Sequence, residues 1–400
     1  MVRRFCLFGL IMAVLAACGS GAAPTVAPTT TAAPTTAPTT IAAAPTAQPS
    51  ATSIPTIAAP TIAAPTLVPT MAATATPAAS ATPTIITSNA TTGRPALARG
   101  ALTQRPIMAM LDNHPDAYPQ TGLDEAAVVF EALAEYGVTR YMAVYAPEFA
   151  PIQGNIGPVR SARIYFVQWA MGFRAIYAHA GGSPAGLERL AADNNTLVID
   201  IDFVDLEDKG FFDFSRRDNN RRAPHNLYTS QAGVERYISE RIADGGATDV
   251  SEVGFLYAPE NGGLGAANPA SSINYFFLYR DDPAGWNYDP TTNDYFRTRR
   301  NRPHTDAVSG EQLSFKSVVV MQVEEAPIPG DPKGRIDYDV VGEGAAVVFA
   351  NGGRTDATWR KESEEMPLRF YDAAGEEIVF PAGPLWIAAL PSLANLTVGQ

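Results

Sequence analysis

The segment from Gly19 to Gly93 limits what this 400-residue chain can fold into more than any other feature. It contains no Asp, Glu, Lys or Arg and no aromatic residue, and it holds 12 prolines among repeated Ala-Pro-Thr units. Because it has no charges to pair and no large apolar groups to bury, it cannot offset its own chain entropy. We predict a disordered linker over residues 19–94, with the folded region after it.

Proline and threonine recur along this predicted linker, which favours extended, polyproline-like conformations. At about 3.1 Å per residue the segment reaches roughly 230 Å at most. Two interpretations remain open. The segment is either a tether that carries the folded region through a cell-wall layer, or a spacer that holds it away from a lipid surface.

Residues 1–18 have the pattern of an export signal. Two arginines precede an apolar stretch from Phe5 to Leu15, which is shorter than the about 20 residues that a membrane-spanning helix needs. The order Leu15-Ala16-Ala17-Cys18 resembles a bacterial lipobox, which predicts cleavage before Cys18 and a lipid with acyl chains such as palmitate on its thiol. An ordinary secretory signal is the alternative. The lipobox predicts an exported lipoprotein anchored to the outer face of the cell membrane.

Cysteine content and charge exclude several classes of function. The other cysteine, Cys6, lies within the predicted signal, so the mature chain has no disulfide, no thiol nucleophile and no cysteine metal site. All 41 acidic and 27 of the 29 basic residues follow position 93, so the folded region carries a formal charge of −14. This balance excludes nucleic-acid binding by bulk charge. No His-x-x-x-His or phosphate-loop motif occurs, and we predict no metal and no cofactor.

Hydrophobic periodicity predicts an α/β fold, α+β overall, for the folded region. In its first half, predicted helices over 161–173, 184–192 and 231–243 alternate with predicted strands. From Ile273 onward, short strands separated by turns such as Asn351-Gly352 replace the helical pattern. We predict a mixed α/β domain over 95–265 and a smaller β-rich domain over 266–400, and leave open that the two share one core. The strands predicted in the first half are 107–111, 127–131, 139–145, 175–180, 197–203 and 253–257. Those predicted in the second half are 273–279, 317–323, 335–340, 345–350, 358–361 and 385–390.

All four histidines lie in short polar motifs at predicted strand ends or loops. In open α/β sheets, ligands bind outside the carboxyl ends of the strands, where the first two motifs are expected. The alternative is that each histidine only hydrogen-bonds a turn. The motifs are Asp112-Asn113-His114-Pro115, His179-Ala180-Gly181-Gly182-Ser183-Pro184, Pro224-His225-Asn226 and Pro303-His304-Thr305-Asp306.

The glycine turn after His179 leads into a predicted helix. Ser183 suits the N-cap and Pro184 the first helical position, so capping explains the motif. Two functional alternatives stay open: the amides around Gly182 and Ser183 bind an anion, or Ser183 is a nucleophile. No Gly-x-Ser-x-Gly motif supports the second.

Arginines are the other candidate site residues. Arg160 and Arg163 lie in the predicted first turn of a helix, where positive charge is unfavourable by about 0.3 to 1 kcal/mol. Either a neighbouring carboxylate or an anionic ligand would compensate them. Two basic loops each precede a Pro-His pair and form either solvated surface or the rim of a site for an anionic wall component. The loops contain Arg216, Arg217, Arg221 and Arg222, and Arg297, Arg299, Arg300 and Arg302.

These motifs resemble those of the YerB family of bacterial lipoproteins, over residues 100–395. The most specific matches are 157–163, 179–184 and 222–228. The resemblance implies an N-terminal α/β domain followed by a smaller β-rich domain, and it implies no established activity. Lys316 departs from the pattern, in which we expect an asparagine. Further matching positions are Arg105-Pro106, Asp112-Asn113, His304 with Asp306, Trp359 with Lys361, and 375–383.

We expect the folded region to bind an anionic cell-envelope ligand, such as a peptidoglycan fragment, in a cleft. One alternative is a hydrolase or transferase on wall polymers, with His179 or His225 as general acid/base assisted by Asp112 or Glu131. Another is a protein-interaction module of the envelope. No catalytic residue is assigned. The candidate ligand-binding residues are Asp112, Asn113, Arg160, Arg163, His179, Gly182, Ser183, Arg222, His225, Asn226 and His304.

Overall fold

The computed structural model describes residues 85–265 and 268–400. The predicted signal with Cys18, and residues 19–84 of the predicted linker, lie outside the described residues. The last part of the predicted linker, 85–94, belongs to the fold. Asn89 is 1% exposed, and its Nδ2 donates to the carbonyl of Ala382 at 2.9 Å. Composition did not reveal this because the contact depends on a single amide side chain.

The described residues contain four α-helices and 23 strands, with 3₁₀ helices at Pro115–Ala117, Ala243–Gly246 and Leu393–Asn395. The helices are α1 (Ile164–Gly172), α2 (Pro184–Asp193), α3 (Phe203–Asp208) and α4 (Gln231–Arg241). The strands are β1 (Ile107–Asp112), β2 (Val128–Leu133), β3 (Thr139–Tyr145), β4 (Asn155–Ile156), β5 (Ile176–His179), β6 (Ile199–Asp202), β7 (Arg216–Arg217), β8 (Leu227–Ser230), β9 (Leu256–Ala258), β10 (Ser272–Tyr275), β11 (Ala284–Asp289), β12 (Asp294–Arg299), β13 (Arg302–Pro303), β14 (Ser314–Phe315), β15 (Ser317–Gln322), β16 (Glu325–Pro327), β17 (Ile336–Tyr338), β18 (Gly342–Ala350), β19 (Gly353–Lys361), β20 (Arg369–Tyr371), β21 (Val379–Pro381), β22 (Leu385–Leu390) and β23 (Leu396–Gly399).

A ten-stranded mixed sheet forms the centre of the fold, in the order β20-β19-β18-β15-β22-β2-β3-β1-β5-β6. Neighbours in the group β1, β5, β6 and in the group β15, β22, β2 are parallel, and all other neighbours in this sheet are antiparallel. The mixed α/β first half and the strand-rich second half confirm the predicted fold class. Because β22 lies between β15 and β2, both halves of the chain contribute to one sheet.

The central strands β1, β2, β3 and β22 are buried at every residue. Their nearly continuous apolar sequences are typical of strands covered on both faces. On one face Phe130 stacks on Trp169 of α1, with ring centroids 5.0 Å apart. On the other, Trp386 packs edge-on against Trp286 of β11 at 5.2 Å. The sheet therefore lies between α1 and the strands that contain Trp286.

Those strands form a second, antiparallel sheet in the order β13-β12-β11-β10-β23, with β14 also paired to β12. The hydrophobic pattern of the sequence did not predict β11, β12 or β23. In β12 the buried positions include Asp294 and Arg297, which are 6% and 0% exposed. Charged residues at buried positions remove the apolar alternation by which a strand is recognised.

The predicted helices occur with shifted ends, and one helix was missed. Residues 161–163 are extended before α1 because Ala162 pairs as an isolated bridge with Gly182. Arg160 and Arg163 therefore do not lie in the first helical turn, although Arg163 is the N-cap of α1. The missed helix is α3, which begins at Phe203, the last residue of a predicted strand. Asp202 is its N-cap and accepts the amide of Val204 at 3.0 Å. None of the helices in the described residues is long and apolar enough to cross a membrane.

Candidate functional site

The extended segment 157–163 runs between the carboxyl ends of β1 and β5. The amide of Arg160 donates to Met110 at 2.8 Å, and its carbonyl accepts from the amide of Ala180 at 3.0 Å. Because β1 and β5 are parallel, their carboxyl ends lie at the same edge of the sheet. The motifs that begin at Asp112 and His179 are therefore both neighbours of Arg160.

Asp112, the last residue of β1, is the centre of a polar cluster. Its Oδ2 lies 2.6 Å from Nδ1 of His225 and 3.0 Å from Nε of Arg160, and its Oδ1 accepts the amide of His114 at 3.0 Å. The carboxylate is 2% exposed. A buried carboxylate needs such partners, since an unpaired one would lose its hydration without compensation. We call Asp112, His114, Asp116, Arg160 and His225 the Asp112 cluster.

Several polar groups of the Asp112 cluster have no hydrogen-bond partner among the described residues, and two of them suit an anionic ligand. Nδ1 of His225 is bound to Asp112, which leaves its Nε2, and the Nη groups of Arg160 are the second. The ring of His225 stacks on that of His114, with centroids 4.4 Å apart and planes 16° apart. Nδ1 of His114 accepts the amide of Asp116 at 3.2 Å. The cluster can therefore offer a ligand both a ring nitrogen and a guanidinium.

Asn113 and His304 belong to a different, buried network. Arg297 Nε donates to His304 Nδ1 at 3.2 Å, and Arg297 Nη2 donates to Glu131 Oε2 at 2.7 Å. This buried ring is made by six side chains that are each at most 6% exposed. It is completed by His304 Nε2 to Gln120 Oε1 (3.0 Å), Gln120 Nε2 to Asn113 Oδ1 (3.3 Å), Asn113 Nδ2 to Thr139 Oγ1 (2.6 Å) and Thr139 Oγ1 to Glu131 Oε1 (3.1 Å).

The buried ring explains why His304 and Glu131 are not available to a ligand. Burial holds the pKa of His304 well below its usual range, and the charges of Arg297 and Arg299 lower it further. Its two ring nitrogens are both bonded within the ring. Glu131 binds Arg297, so it assists neither His179 nor His225, contrary to one of our expectations.

His179 is fully buried and pairs with Asp200. Its Nε2 lies 2.6 Å from Asp200 Oδ1 and its Nδ1 lies 2.9 Å from the carbonyl of Gly181. Burial by itself lowers the pKa of His179, but the hydrogen bond to Asp200 and the charges of Asp200 and Asp202 outweigh it, so the pKa is raised. Both nitrogens face acceptors, which a protonated imidazolium satisfies. No ring nitrogen of His179 is left for a ligand.

Two amides of the glycine turn after His179, those of Gly181 and Ser183, are bonded within the protein. Gly181 N donates to Asp202 Oδ1 at 2.7 Å, and Ser183 N donates to the carbonyl of Ala162 at 3.1 Å. Ser183 Oγ accepts the amide of Gly186 at 3.2 Å and so caps α2. At Gly182 an added Cβ would lie 2.8 Å from the side chain of Leu187. Capping and close packing therefore account for Ser183 and Gly182, and the bonded amides of Gly181 and Ser183 are not free to bind an anion.

Arg163 and Asn226 also have internal partners. Arg163 binds Glu135, which Arg140 contacts at 3.1 Å. Burial raises the pKa of Glu135, but these two guanidinium groups outweigh that effect and lower it. Asn226 accepts from Arg217 at 3.1 Å and donates to the carbonyl of Asp218 at 3.2 Å. A neighbouring carboxylate, the alternative left open above, thus compensates Arg163.

A basic groove adjoins the Asp112 cluster, because Pro115 follows His114 and lines it. The groove has a volume of about 490 Å³ and is lined by Pro115, Tyr118, Arg299, Arg300, Arg302 and Pro303. Arg299 and Arg300 lie 3.6 and 2.7 Å from Asp282, whereas Arg302 has no side-chain partner among the described residues. Arg222 is likewise exposed and without such a partner in the described part of the chain. The arginines were candidate residues from the sequence, whereas Tyr118 was not, because it belongs to none of the motifs.

Comparisons with known families define the class of protein to which the chain belongs. Residues 91–246 match the N-terminal domain, and residues 273–387 the C-terminal domain, of a family described as "Protein of unknown function (DUF3048)". The chain is thus a two-part protein of that class, with a mixed sheet shared by both parts.

Two individual relatives identify the family within this class of proteins. A Bacillus subtilis (strain 168) protein named "Putative lipoprotein YerB" is 28% identical over 312 residues, which cover 74% of this chain and 85% of the relative. The crystal structure of the YerB protein from Bacillus subtilis matches with a TM-score of 0.64 and 25% identity, over 74% of this chain and 94% of that chain. The chain belongs to the YerB family, which confirms the resemblance found in its motifs.

Proposed function

We propose that this chain is an exported lipoprotein whose folded region binds an anionic ligand of the cell envelope. The lipobox-like sequence that ends at Cys18 and the printed name of the Bacillus relative support the anchor. The segment before residue 85 would then connect the lipid to the fold. The binding site consists of the Asp112 cluster together with the basic groove.

The observation that carries the binding proposal is the charge of the groove. Its three arginines have one carboxylate partner, Asp282, among the described residues. This local excess of positive charge occurs in a region whose formal charge is −14. Guanidinium groups bind carboxylate and phosphate groups through two parallel hydrogen bonds. The groove is therefore suited to a ligand that carries such groups.

Within this proposal, the residues have distinct roles. Arg302 and the free Nη groups of Arg160 pair with the charge of the ligand. His225 orients it through Nε2, while Asp112 holds the imidazole in place. Arg222 contributes to the rim. Seven of the expected residues drop out because their polar groups are bonded internally or their role is packing: Asn113, Arg163, His179, Gly182, Ser183, Asn226 and His304.

Calorimetry and thermal-shift measurements with anionic wall fragments and poly(glycerol phosphate) test the binding proposal, with a neutral oligosaccharide as the control ligand. Arg302→Ala and the double variant Arg160→Ala/His225→Ala should each weaken binding at least about tenfold, which corresponds to 1.4 kcal/mol. Arg354→Ala is the matched control, since Arg354 is a partly exposed arginine on β19, outside the groove. Equal affinity in all variants, or no anion binding by the wild type, would overturn the proposal.

The anchor has its own test. Replacing Cys18 with Ser should release the protein from the membrane fraction and abolish incorporation of labelled palmitate. A variant that stays in the membrane fraction and still takes up label would show that Cys18 is not the lipidated residue.

A hydrolase or transferase acting on wall polymers is the second candidate, and the Asp112–His225 pair favours it. A carboxylate on Nδ1 orients an imidazole so that Nε2 can act as a general base. If the protein is such an enzyme, the wild type should turn over wall polymers, whereas His225→Gln should bind them without turning them over. Undiminished turnover by His225→Gln would exclude this residue as the base.

A further inference from the structure

We infer that His114, Asp116 and His225 form a site for a divalent first-row transition-metal ion. One potential ligand atom from each residue lies within 4.8 Å of the other two. The inference goes beyond anion binding, since a metal site here does not depend on any envelope ligand, and it departs from our sequence-based expectation of no metal. In the metal-bound protein Nε2 of His225 would be a metal ligand, and the anion would be contacted by Arg160 and the groove instead of by the imidazole.

The donor set determines which ions fit. Two imidazoles and one carboxylate suit zinc and its neighbours in the first transition series, whereas magnesium and calcium prefer oxygen ligands throughout. Ligand atoms around one zinc ion are about 3 to 4 Å apart, given bonds of about 2.0 to 2.2 Å. The separations in this structure are therefore within reach of a small side-chain rotation.

Asp112 supplies the outer partner that a metal-binding histidine needs. A histidine ligand usually donates its second nitrogen to a carboxylate or carbonyl, which orients the ring and makes the ligating nitrogen more basic. Here Asp112 Oδ2 lies 2.6 Å from Nδ1 of His225, so Nε2 is the nitrogen left for the metal. Arg160 at 3.0 Å and the amide of His114 at 3.0 Å hold the carboxylate in turn.

The stacked rings show what must move on binding. With planes 16° apart, the lone pairs of His114 and His225 run side by side instead of converging. His225 is held by Asp112, whereas the side chain of His114 is 41% exposed. In the described structure its ring nitrogens make one hydrogen bond, from the amide of Asp116 to Nδ1. Metal binding therefore turns the ring of His114 at the cost of one exposed hydrogen bond.

The net charge and the number of protein ligands at the site allow the metal to bind a further ligand. With both histidines neutral, Asp112, Asp116 and Arg160 sum to −1, so a divalent ion gives a net charge of +1. Three protein ligands leave at least one coordination position open, as in catalytic zinc sites. Water or an anionic group would fill it, close to Arg160.

Zinc titration of the full chain, dialysed against chelator, tests the inference. Competition with a chromogenic zinc chelator should give one zinc per chain, and magnesium or calcium in excess should not displace it. His114→Ala and Asp116→Asn should abolish this binding, and both side chains are exposed enough for the fold to tolerate the change. Asp112→Asn should weaken it by about 10- to 100-fold, because it removes the outer partner of His225.

Asp208→Asn is the matched control, since Asp208 is an exposed carboxylate at the end of α3, and it should bind as the wild type does. The inference is overturned if the wild type binds no stoichiometric zinc, or if His114→Ala retains wild-type affinity. Thermal unfolding without zinc checks that each variant is folded. Repeating the anion calorimetry with chelator present separates the two proposals, because each can then fail without the other.

Discussion

Asp112, the last residue of β1, and Asn113, the residue that follows it, serve different parts of the molecule. Successive side chains of a strand point to opposite faces of its sheet. Asp112 accordingly faces Arg160 and His225, whereas Asn113 bonds to Thr139 and Gln120 within the buried ring. One strand end thus anchors both a polar cluster at the sheet edge and a network in the core.

Acid should destabilise the protein through His304. Its pKa is lowered well below the usual value in the folded state, so the unfolded chain takes up a proton near pH 6.5 that the folded chain does not. The free energy of unfolding then falls as the pH drops below about 6.5, by up to about 1.4 kcal/mol per pH unit for one proton. Urea unfolding between pH 7.5 and pH 5 measures this slope.

His304→Gln is the comparison for that experiment, because glutamine does not titrate. His179 changes stability in the opposite sense: its raised pKa adds stability below the unfolded pKa that is lost as the pH rises through the folded one. Both proteins share that contribution, so it cancels in the difference. Parallel pH profiles for the two proteins would contradict the prediction for His304.

At the level of elements, α2 depends on its N-terminal cap. Ser183 is 4% exposed and its Oγ accepts the amide of Gly186 at 3.2 Å. Ser183→Ala should lower the free energy of unfolding by about 1 kcal/mol, because it leaves that amide without a partner. Ser183→Gly should cost only a few tenths of a kcal/mol. Denaturant unfolding of the three proteins gives the order, and a Ser183→Ala protein as stable as the wild type would show that the hydroxyl does not act as a cap.

At the level of the whole molecule, neither half has a complete sheet of its own. β22 pairs with β2 of the first half and with β15 of the second, in both cases in parallel. Removing residues 268–400 would leave β2, a fully buried strand, at an open edge. We expect residues 85–265 expressed alone to show no cooperative unfolding, whereas residues 85–400 unfold in one calorimetric transition. A cooperative transition of the isolated first half would contradict this.

The ion pair between Glu131 and Arg297 also joins the two halves. Both side chains are at most 2% exposed and lie 2.7 Å apart. Glu131→Gln should lower the free energy of unfolding by about 3 to 5 kcal/mol, since it leaves the guanidinium buried without a counter-charge. Glu343→Gln, at the exposed pair with Arg360, should cost less than about 1 kcal/mol. A double-mutant cycle with Arg297→Met measures the coupling, and additive losses would show that the pair is not coupled.

Part of this architecture was predictable because its causes are local. The apolar runs of β1, β3 and β22 and the Ser183-Pro184 start of α2 each carry their signal within a few residues. The polar motifs at Asp112 and His179 were expected beside strand ends, and the parallel pairing of β1 with β5 places them there. The burial of Arg297 was not predictable, because the sequence does not distinguish a buried arginine from one on the surface.

Most of the candidate site required the tertiary structure. His225 is 113 residues from Asp112, and no spacing rule relates two side chains so far apart. The same holds for Arg163, for which the sequence left open a ligand or a carboxylate, and the fold supplies Glu135. At the glycine turn the sequence likewise could not distinguish a free amide from a bonded one, and the fold bonds the amides of Gly181 and Ser183 to Asp202 and Ala162.

The sequence by itself determined the fold class, the family, the charge balance and the helix cap at Ser183, because composition, periodicity and capping act over short distances. The tertiary structure alone decided that β22 joins the two halves, that Asp112 gathers Arg160 and His225, and that Arg297 is buried against Glu131. Backbone hydrogen bonds between strands are alike for all residues, and side-chain pairs form wherever the chain brings them together. Partner choice at long range is therefore a property of the whole fold.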